Sequence, residues 1–210
     1  MDHVAVDPNM DSSSFSVTWD YLCPFARNAH EHLVAAQEGG AGWDVTYTPF
    51  SLVQNHVEEG GTPVWEKPDG VKGLLALQAG VVVRDRFPDR FGPAHVALFA
   101  ARHDEGGDLS DPDVVRRALE GAGLDADAVF NEIADGWPLK SIQAAHEAAV
   151  ADHQIFGVPT FVMGDRAVFV RLMTRPEGDA ALARATVERV LSLVADHPEL
   201  NEFKYTSVPR

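Results

Sequence analysis

Strand-like segments lie near the two ends of this chain, and a long helical block separates them. Residues 15–19 and 43–50 alternate apolar and polar side chains, as half-buried strands do, and a helical pattern from Pro24 to about Gln37 connects them. Strand, helix and strand in this order indicate a parallel βαβ unit. Two further strands, 160–163 and 166–170, flank Gly164-Asp165, which is typical of a hairpin turn, and an amphipathic helix over about 179–195 follows.

The segment between these strands, from Ser51 to about Asp152, is predicted to be helical, with a loop rich in glycine and proline over 60–70. Asp111-Pro112 has the pattern of a helix N-cap followed by a first-turn proline, and Asp125 is a second capping residue. The chain therefore predicts an α/β fold with a large all-helical insertion between its βαβ and ββα halves. We expect residues 15–51 and 153–196 to form the sheet domain, 52–152 the insertion, 1–14 a flexible leader and 197–210 a C-terminal tail.

Charge and composition exclude several classes of protein. The chain has 17 basic and 32 acidic residues, a formal net charge of −15, which disfavours nucleic acid and anionic membrane surfaces as partners. No apolar run approaches the roughly 18 residues of a membrane span, and the start has no signal-peptide pattern, so we expect a cytoplasmic protein. A single cysteine excludes an intramolecular disulfide and a cysteine-rich zinc site, and no histidine spacing predicts a metal site.

The lone Cys23 lies between the first strand and the first helix, followed directly by Pro24. A helix N-terminus stabilises negative charge, so a cysteine there is expected to have a lowered pKa and a reactive thiolate. The alternative is a buried structural cysteine, since free cysteine is among the most buried residue types. The strand–Cys-Pro–helix context favours a functional thiol.

A second motif, Gly157-Val-Pro-Thr160, precedes the hairpin. Pro159 cannot donate to a sheet ladder, so it belongs at a strand start or edge. A cis peptide bond at Val158-Pro159 would turn the Val158 backbone toward an incoming substrate, whereas an ordinary turn is the simpler interpretation.

Together, Asp20-x-Leu-Cys-Pro-Phe-x and Phe156-Gly-Val-Pro-Thr-Phe161 resemble the DsbA-like superfamily of thioredoxin-fold proteins. That superfamily includes DsbA oxidoreductases, kappa-class glutathione transferases, 2-hydroxychromene-2-carboxylate isomerases and mycothiol-dependent nitroreductase-like proteins. The resemblance runs from about Phe15 to Ala195. It implies a thioredoxin fold with a helical insertion, Cys23 as the nucleophile and Pro159 as a cis-proline facing it, and it is compatible with a homodimer.

The sequence departs from the dithiol pattern at Ala26, which stands where dithiol members have a second cysteine. Ala26 cannot resolve a mixed disulfide, so the dithiol cycle is closed to this chain. Three routes stay open: a monothiol exchange released by an external thiol, a site in which Cys23 holds a thiol co-substrate such as glutathione or mycothiol, and a non-catalytic binding protein. No tightly bound cofactor is expected; the substrate would be a small apolar or disulfide compound, and a hydroxychromene-type isomerase is a further alternative.

Aromatic residues surround the Cys-Pro motif in sequence. Trp19, Tyr21 and Phe25 are candidates to line an apolar pocket with Pro24, Ala26, Val158 and Pro159, whereas Trp43 is expected to pack in the core. Asp20 would oppose thiolate formation, accept a proton or cap the loop, and the sequence does not choose among these roles. His30-Glu31-His32 is expected to lie on a solvent-exposed helix, since residues two apart point to different helical faces.

Overall fold

The computed structural model describes residues 13–202 and 204–205, so the predicted leader lies outside the described residues except for its last two positions. Four strands form one sheet in the order β2-β1-β3-β4: β1 Ser14–Trp19, β2 Asp44–Pro49, β3 Thr160–Met163 and β4 Arg166–Phe169. β1 is parallel to β2 and antiparallel to β3, and β3 and β4 form the predicted hairpin. Val17 pairs with Tyr47 on one side and Phe161 on the other, which places β1 in the middle of the sheet.

Two helices of the sheet domain pack against each other and against the strands. α1, Pro24–Glu38, connects β1 to β2, and α8, Ala180–Asp196, follows the hairpin. Pro24 occupies the first turn of α1, where its missing N–H costs no hydrogen bond. Asp179 caps α8 by accepting a hydrogen bond from the Leu182 amide at 2.9 Å.

The segment between β2 and β3 is helical, which confirms the predicted α/β architecture. It contains α2 Leu52–Asn55, α3 Leu74–Arg86, α4 Phe91–His103, α5 Pro112–Gly121, α6 Ala126–Ala134 and α7 Trp137–His153. The predicted caps Asp111 and Asp125 each accept a hydrogen bond from a first-turn amide. Phe91 begins α4, and a 3-10 turn at Pro88–Arg90 leads directly into it.

A buried chain of hydrogen bonds joins the insertion to the sheet domain. The Tyr21 hydroxyl lies 2.8 Å from His95 Nδ1, His95 Nε2 lies 3.0 Å from His30 Nδ1, and His30 Nε2 lies 3.1 Å from the Thr18 carbonyl oxygen. The Thr18 carbonyl can only accept, so His30 carries its proton on Nε2, and in neutral rings each further bond then has one donor and one acceptor. Gly80 of α3 approaches the Tyr21 ring so closely that a Cβ there would collide with the hydroxyl.

The expectation that 30–32 is solvent-exposed is wrong. His30, Glu31 and His32 are all buried, because α1 is covered on more than one side, by β1, α4 and α8. His30 faces the Tyr21–His95 chain, and the Nε2 atom of His32 lies 3.1 Å from the Thr174 carbonyl oxygen. Trp43 is half-buried and packs edge-on against Phe15, with ring centroids 6.2 Å apart. Among the described residues, no helix has the length and apolar character needed to cross a membrane.

Candidate functional site

The two motifs separated in sequence meet at the Cys23 sulfur. Cys23 is the N-cap of α1, and its Sγ lies 3.4 Å from the Ala26 amide nitrogen, which donates to it. On its other side the same sulfur lies 3.2 Å from the Val158 carbonyl oxygen, to which the thiol donates. The Val158–Pro159 peptide bond is cis. The strand–helix junction and the proline loop therefore form one site, in which a sulfur is hydrogen-bonded from both sides.

Burial controls the ionisation of Cys23. Loss of hydration raises the pKa of the Cys23 thiol, and the nearby Asp20 charge raises that pKa further. The amide hydrogen bonds of Ala26 and Phe25 and the charge of Arg171 lower the pKa, yet the net change is upward. The expectation of a lowered pKa is thus contradicted: the helix N-terminus is present, but desolvation outweighs it. The protonated form also fits the hydrogen bond to the Val158 carbonyl, which needs a donor.

Asp20 stabilises the loop that carries Cys23. One carboxylate oxygen accepts from the Leu22 amide at 2.9 Å and the other from the Leu52 amide at 2.8 Å. Burial raises the pKa of Asp20 to about 6 against these two hydrogen bonds, which lower it. These contacts support the loop-cap role, which also ties the Cys23 loop to α2, and the charge of Asp20 at the same time opposes thiolate formation at Cys23.

Alkylation of Cys23 is expected to follow a pH profile whose midpoint lies above that of an unperturbed thiol. The reason is the burial that raises the pKa of Cys23, since only the thiolate reacts. The rate of iodoacetamide alkylation against pH measures this directly, because the chain has one cysteine. The urea-unfolded protein is the control and should show an ordinary midpoint; a folded-state midpoint below the unfolded one would contradict the prediction.

The predicted site residues fall into two groups. Pro24 is exposed and Phe25 is half-buried next to Cys23. Ala26, Val158 and Pro159 are buried on the two elements that contact the sulfur. Trp19 and Tyr21 are fully buried, so the expectation that they line a substrate pocket is corrected. Both pack edge-on against His95, with ring centroids 5.4 and 5.2 Å away, and so lie in the core behind the Cys23 loop.

Three residues beside the site were not predicted. Phe156 is 66% exposed immediately before Gly157, and its ring centroid lies 5.3 Å from that of Phe169 at the end of β4. Arg171 follows β4 and places its guanidinium carbon 5.2 Å from the Phe25 ring centroid. Phe156 belongs to the proline motif, so the sequence could have indicated it as a site residue. Phe169 and Arg171 reach the site only in the tertiary structure, where Phe169 packs against Gly157 and the segment after β4 runs along α1.

A central parallel βαβ unit, an antiparallel hairpin, a cysteine at the N-cap of α1 and a cis-proline loop opposite it define a thioredoxin-like fold with a helical insertion. The DSBA-like thioredoxin domain family matches residues 93–174, a range that includes the proline loop and β4 but not Cys23. This match confirms the resemblance to DsbA-like thioredoxin-fold proteins that the two motifs indicate.

Individual proteins are also similar to this chain. "Uncharacterized protein Rv2286c" of Mycobacterium tuberculosis (strain ATCC 25618 / H37Rv) is 29% identical over 194 residues, covering 91% of this chain and 81% of the relative. A periplasmic thioredoxin-like protein from Salmonella enterica serovar Typhimurium superposes with a TM-score of 0.55 at 16% identity, covering 88% of this chain and 87% of that one. A 2-hydroxychromene-2-carboxylate isomerase superposes with a TM-score of 0.56 at 18% identity, covering 87% and 98%. At these identities the two structures establish the fold alone.

Proposed function

We propose that this chain is an enzyme that uses a low-molecular-weight thiol, and that Cys23 in its protonated form holds the sulfur of that thiol. The observation that carries the proposal is the state of Cys23: its pKa is raised by burial, and its S–H already donates to a carbonyl oxygen 3.2 Å away. A thiol in this state is a poor nucleophile and a ready hydrogen-bond donor.

The proposed reaction needs the two substrates, groups present at the site and water. The co-substrate thiol releases its proton to water, and the thiolate takes the place of the Val158 carbonyl as the acceptor of the Cys23 S–H, close to the N-terminus of α1, which favours negative charge. Held there, the thiolate forms a bond to an electrophilic atom of the second substrate, whose leaving group departs with the electron pair. Cys23 keeps its proton throughout. In the isomerase alternative the thiolate adds reversibly and is released again.

A monothiol oxidoreductase is the second candidate. The position of Cys23 at a helix N-cap and the DsbA-like family match favour it. In that reaction the Cys23 thiolate attacks one sulfur of a substrate disulfide and expels the other as thiolate. An external thiol must then attack the mixed disulfide, because Ala26 supplies no second sulfur. The proposal includes a cytoplasmic location, where such thiols are kept reduced.

Replacing Cys23 by serine separates these candidates. A serine hydroxyl donates a hydrogen bond as the thiol does, so binding of reduced glutathione or mycothiol, and turnover of a chromogenic electrophile, are expected to be retained within severalfold. Cys23→Ala removes the donor, and the loss of a hydrogen bond to a charged group, about 1.5–3 kcal/mol, weakens thiol binding roughly tenfold or more. Calorimetric titration of the wild type and both variants measures this.

The outcomes distinguish all the candidates. If the serine variant loses all turnover while the wild type forms an isolable mixed disulfide, Cys23 is a nucleophile and the monothiol route is correct. Thiol binding without turnover of any electrophile or disulfide identifies a non-catalytic binding protein. No binding of either thiol by the wild type overturns the thiol-dependent proposal itself.

A further inference from the structure

Arg171 is a cation beside the thiol, and no ion pair joins it to a carboxylate among residues 13–202 and 204–205. Its guanidinium carbon lies 5.2 Å from the Phe25 ring centroid and 5.4 Å from that of Phe169, so two aromatic faces hold it. The side chain is exposed, and it forms no ion pair or hydrogen bond with any residue in the described part of the chain. In a protein of net charge −15, an arginine left without a carboxylate at this position requires an explanation.

The contacts of Arg171 connect the first turn of α1 to the proline loop, the two elements that contact the Cys23 sulfur. Phe169 packs against the backbone of Gly157, where an added Cβ would lie 3.3 Å from the Phe169 ring. Gly157 precedes Val158, whose carbonyl accepts from Cys23, and Phe25 lies two residues after Cys23 in the first turn of α1. Phe25, Phe169 and Arg171 therefore lie next to the two elements between which the sulfur is held.

The segment that carries Arg171 is held to α1. Asn28 donates from Nδ2 to the Leu172 carbonyl at 2.8 Å, and Arg175 donates to Glu31 from Nε at 2.5 Å and from Nη2 at 2.8 Å. These bonds fix the backbone on the C-terminal side of Arg171. The aromatic rings fix its guanidinium, so little side-chain entropy is left to lose when a ligand binds.

We propose that Arg171, supported by Phe25 and Phe169, is a carboxylate-binding residue of the Cys23 site and that the ligand of this site carries a carboxylate. A planar guanidinium matches a carboxylate with two parallel hydrogen bonds, and the faces of Phe25 and Phe169 hold it without neutralising its charge. The inference rests on the proposed function. It favours an anionic thiol such as glutathione over an uncharged sugar-linked thiol such as mycothiol, unless the carboxylate belongs to the second substrate.

Two alkylating probes that differ in one group test the proposal without any co-substrate. Iodoacetate carries a carboxylate and iodoacetamide does not, and both react with the same Cys23 thiolate, so the ratio of their rate constants cancels any change in the pKa of Cys23. We expect Arg171→Gln to lower the iodoacetate-to-iodoacetamide ratio severalfold, and Arg171→Lys to lower it less because the charge is kept. The matched control is Arg117→Gln, which removes one exposed arginine from α5 in the insertion. Equal ratios in the wild type, Arg171→Gln and Arg117→Gln would overturn the carboxylate site.

A second experiment, protection of Cys23 from alkylation, identifies which ligand supplies the carboxylate. Protection of Cys23 from iodoacetamide by glutathione, weakened by Arg171→Gln and absent with the diethyl ester of glutathione, assigns the carboxylate to the thiol. Protection by benzoate that Arg171→Gln abolishes, with glutathione and its ester protecting equally, assigns the carboxylate to the second substrate. If glutathione protects the wild type and Arg171→Gln equally and benzoate protects neither, the thiol-dependent function stands and the Arg171 proposal fails. A shifted probe ratio with no protection by any thiol leaves the anion site and removes the thiol co-substrate.

Discussion

Replacing His95 by alanine is expected to lower the free energy of unfolding by about 3–5 kcal/mol. His95 is the central link of the buried chain: it bonds the Tyr21 hydroxyl at 2.8 Å and His30 Nδ1 at 3.0 Å. Removing the ring deprives the Tyr21 hydroxyl and the Nδ1 atom of His30 of these buried hydrogen bonds. It also opens a cavity beside Phe91, which stacks on His95 with centroids 4.6 Å apart. Each of these losses is costly on its own.

Urea unfolding of His95→Ala and the wild type measures the difference. His56→Ala is the matched control, since His56 is exposed on the surface after α2, and its replacement should change stability by less than about 0.5 kcal/mol. Tyr21→Phe, which removes one hydroxyl and keeps the ring, should fall between them at about 1–2 kcal/mol. Equal stability of His95→Ala and His56→Ala would show that the buried chain does not stabilise the fold.

The stability of His95→Ala is expected to depend less on acid pH than that of the wild type. Burial lowers the pKa of His30 to about 4, and burial together with His30 lowers that of His95 well below its ordinary value of 6.5. The unfolded chain therefore binds protons that the fold cannot, and the wild type loses stability as the pH falls from about 6.5 toward 4. His95→Ala lacks one such group, so its stability should fall less steeply. Asp20 acts in the opposite sense, because its pKa is raised to about 6, but it does so equally in both proteins.

Glu31→Ala is expected to cost about 3 kcal/mol, the lower part of the range for breaking a buried ion pair. Glu31 is buried and bonds two arginines, Arg27 through Nε at 3.1 Å and Arg175 through Nε at 2.5 Å. Without Glu31, the ion pairs that remain to these two arginines within the described part of the chain are those with Asp104, one from the buried Arg27 and one from Arg175 at 3.4 Å. The segment after β4 also loses its ion pair to α1.

An exposed pair on another helix provides the control. Arg184 and Glu188 form an i,i+4 ion pair at 2.8 Å on the surface of α8, and Glu188→Ala should cost less than about 0.5 kcal/mol. Both variants are compared by urea unfolding at low and high salt. The cost of Glu31→Ala should persist at high salt, since buried charges are weakly screened. A cost that matches Glu188→Ala at either salt concentration would refute a stabilising role for this network.

The sequence by itself determined the order of the elements and the fold. These predictions depend on local signals: the strand and helix periodicities, the caps Asp111 and Asp125, and the two motifs around Cys23 and Pro159. Such signals set the backbone preference of a segment without reference to what packs against it. The sequence also shows directly that Ala26 supplies no second sulfur, so a dithiol–disulfide cycle is not available to this chain.

Only the tertiary structure decided which side chains are buried and what they contact. His30, Glu31 and Tyr21 look like surface or pocket residues in sequence, yet α4 and α8 cover α1, and partners 65 to 144 positions away satisfy their polar groups. The pKa of Cys23 was expected to be low from its helix N-terminus, but desolvation is a property of everything packed around a group and reversed the sign. Arg171 and Phe169 join the site because β4 ends beside the proline loop and the segment after it runs along α1, and no short-range pattern encodes that path.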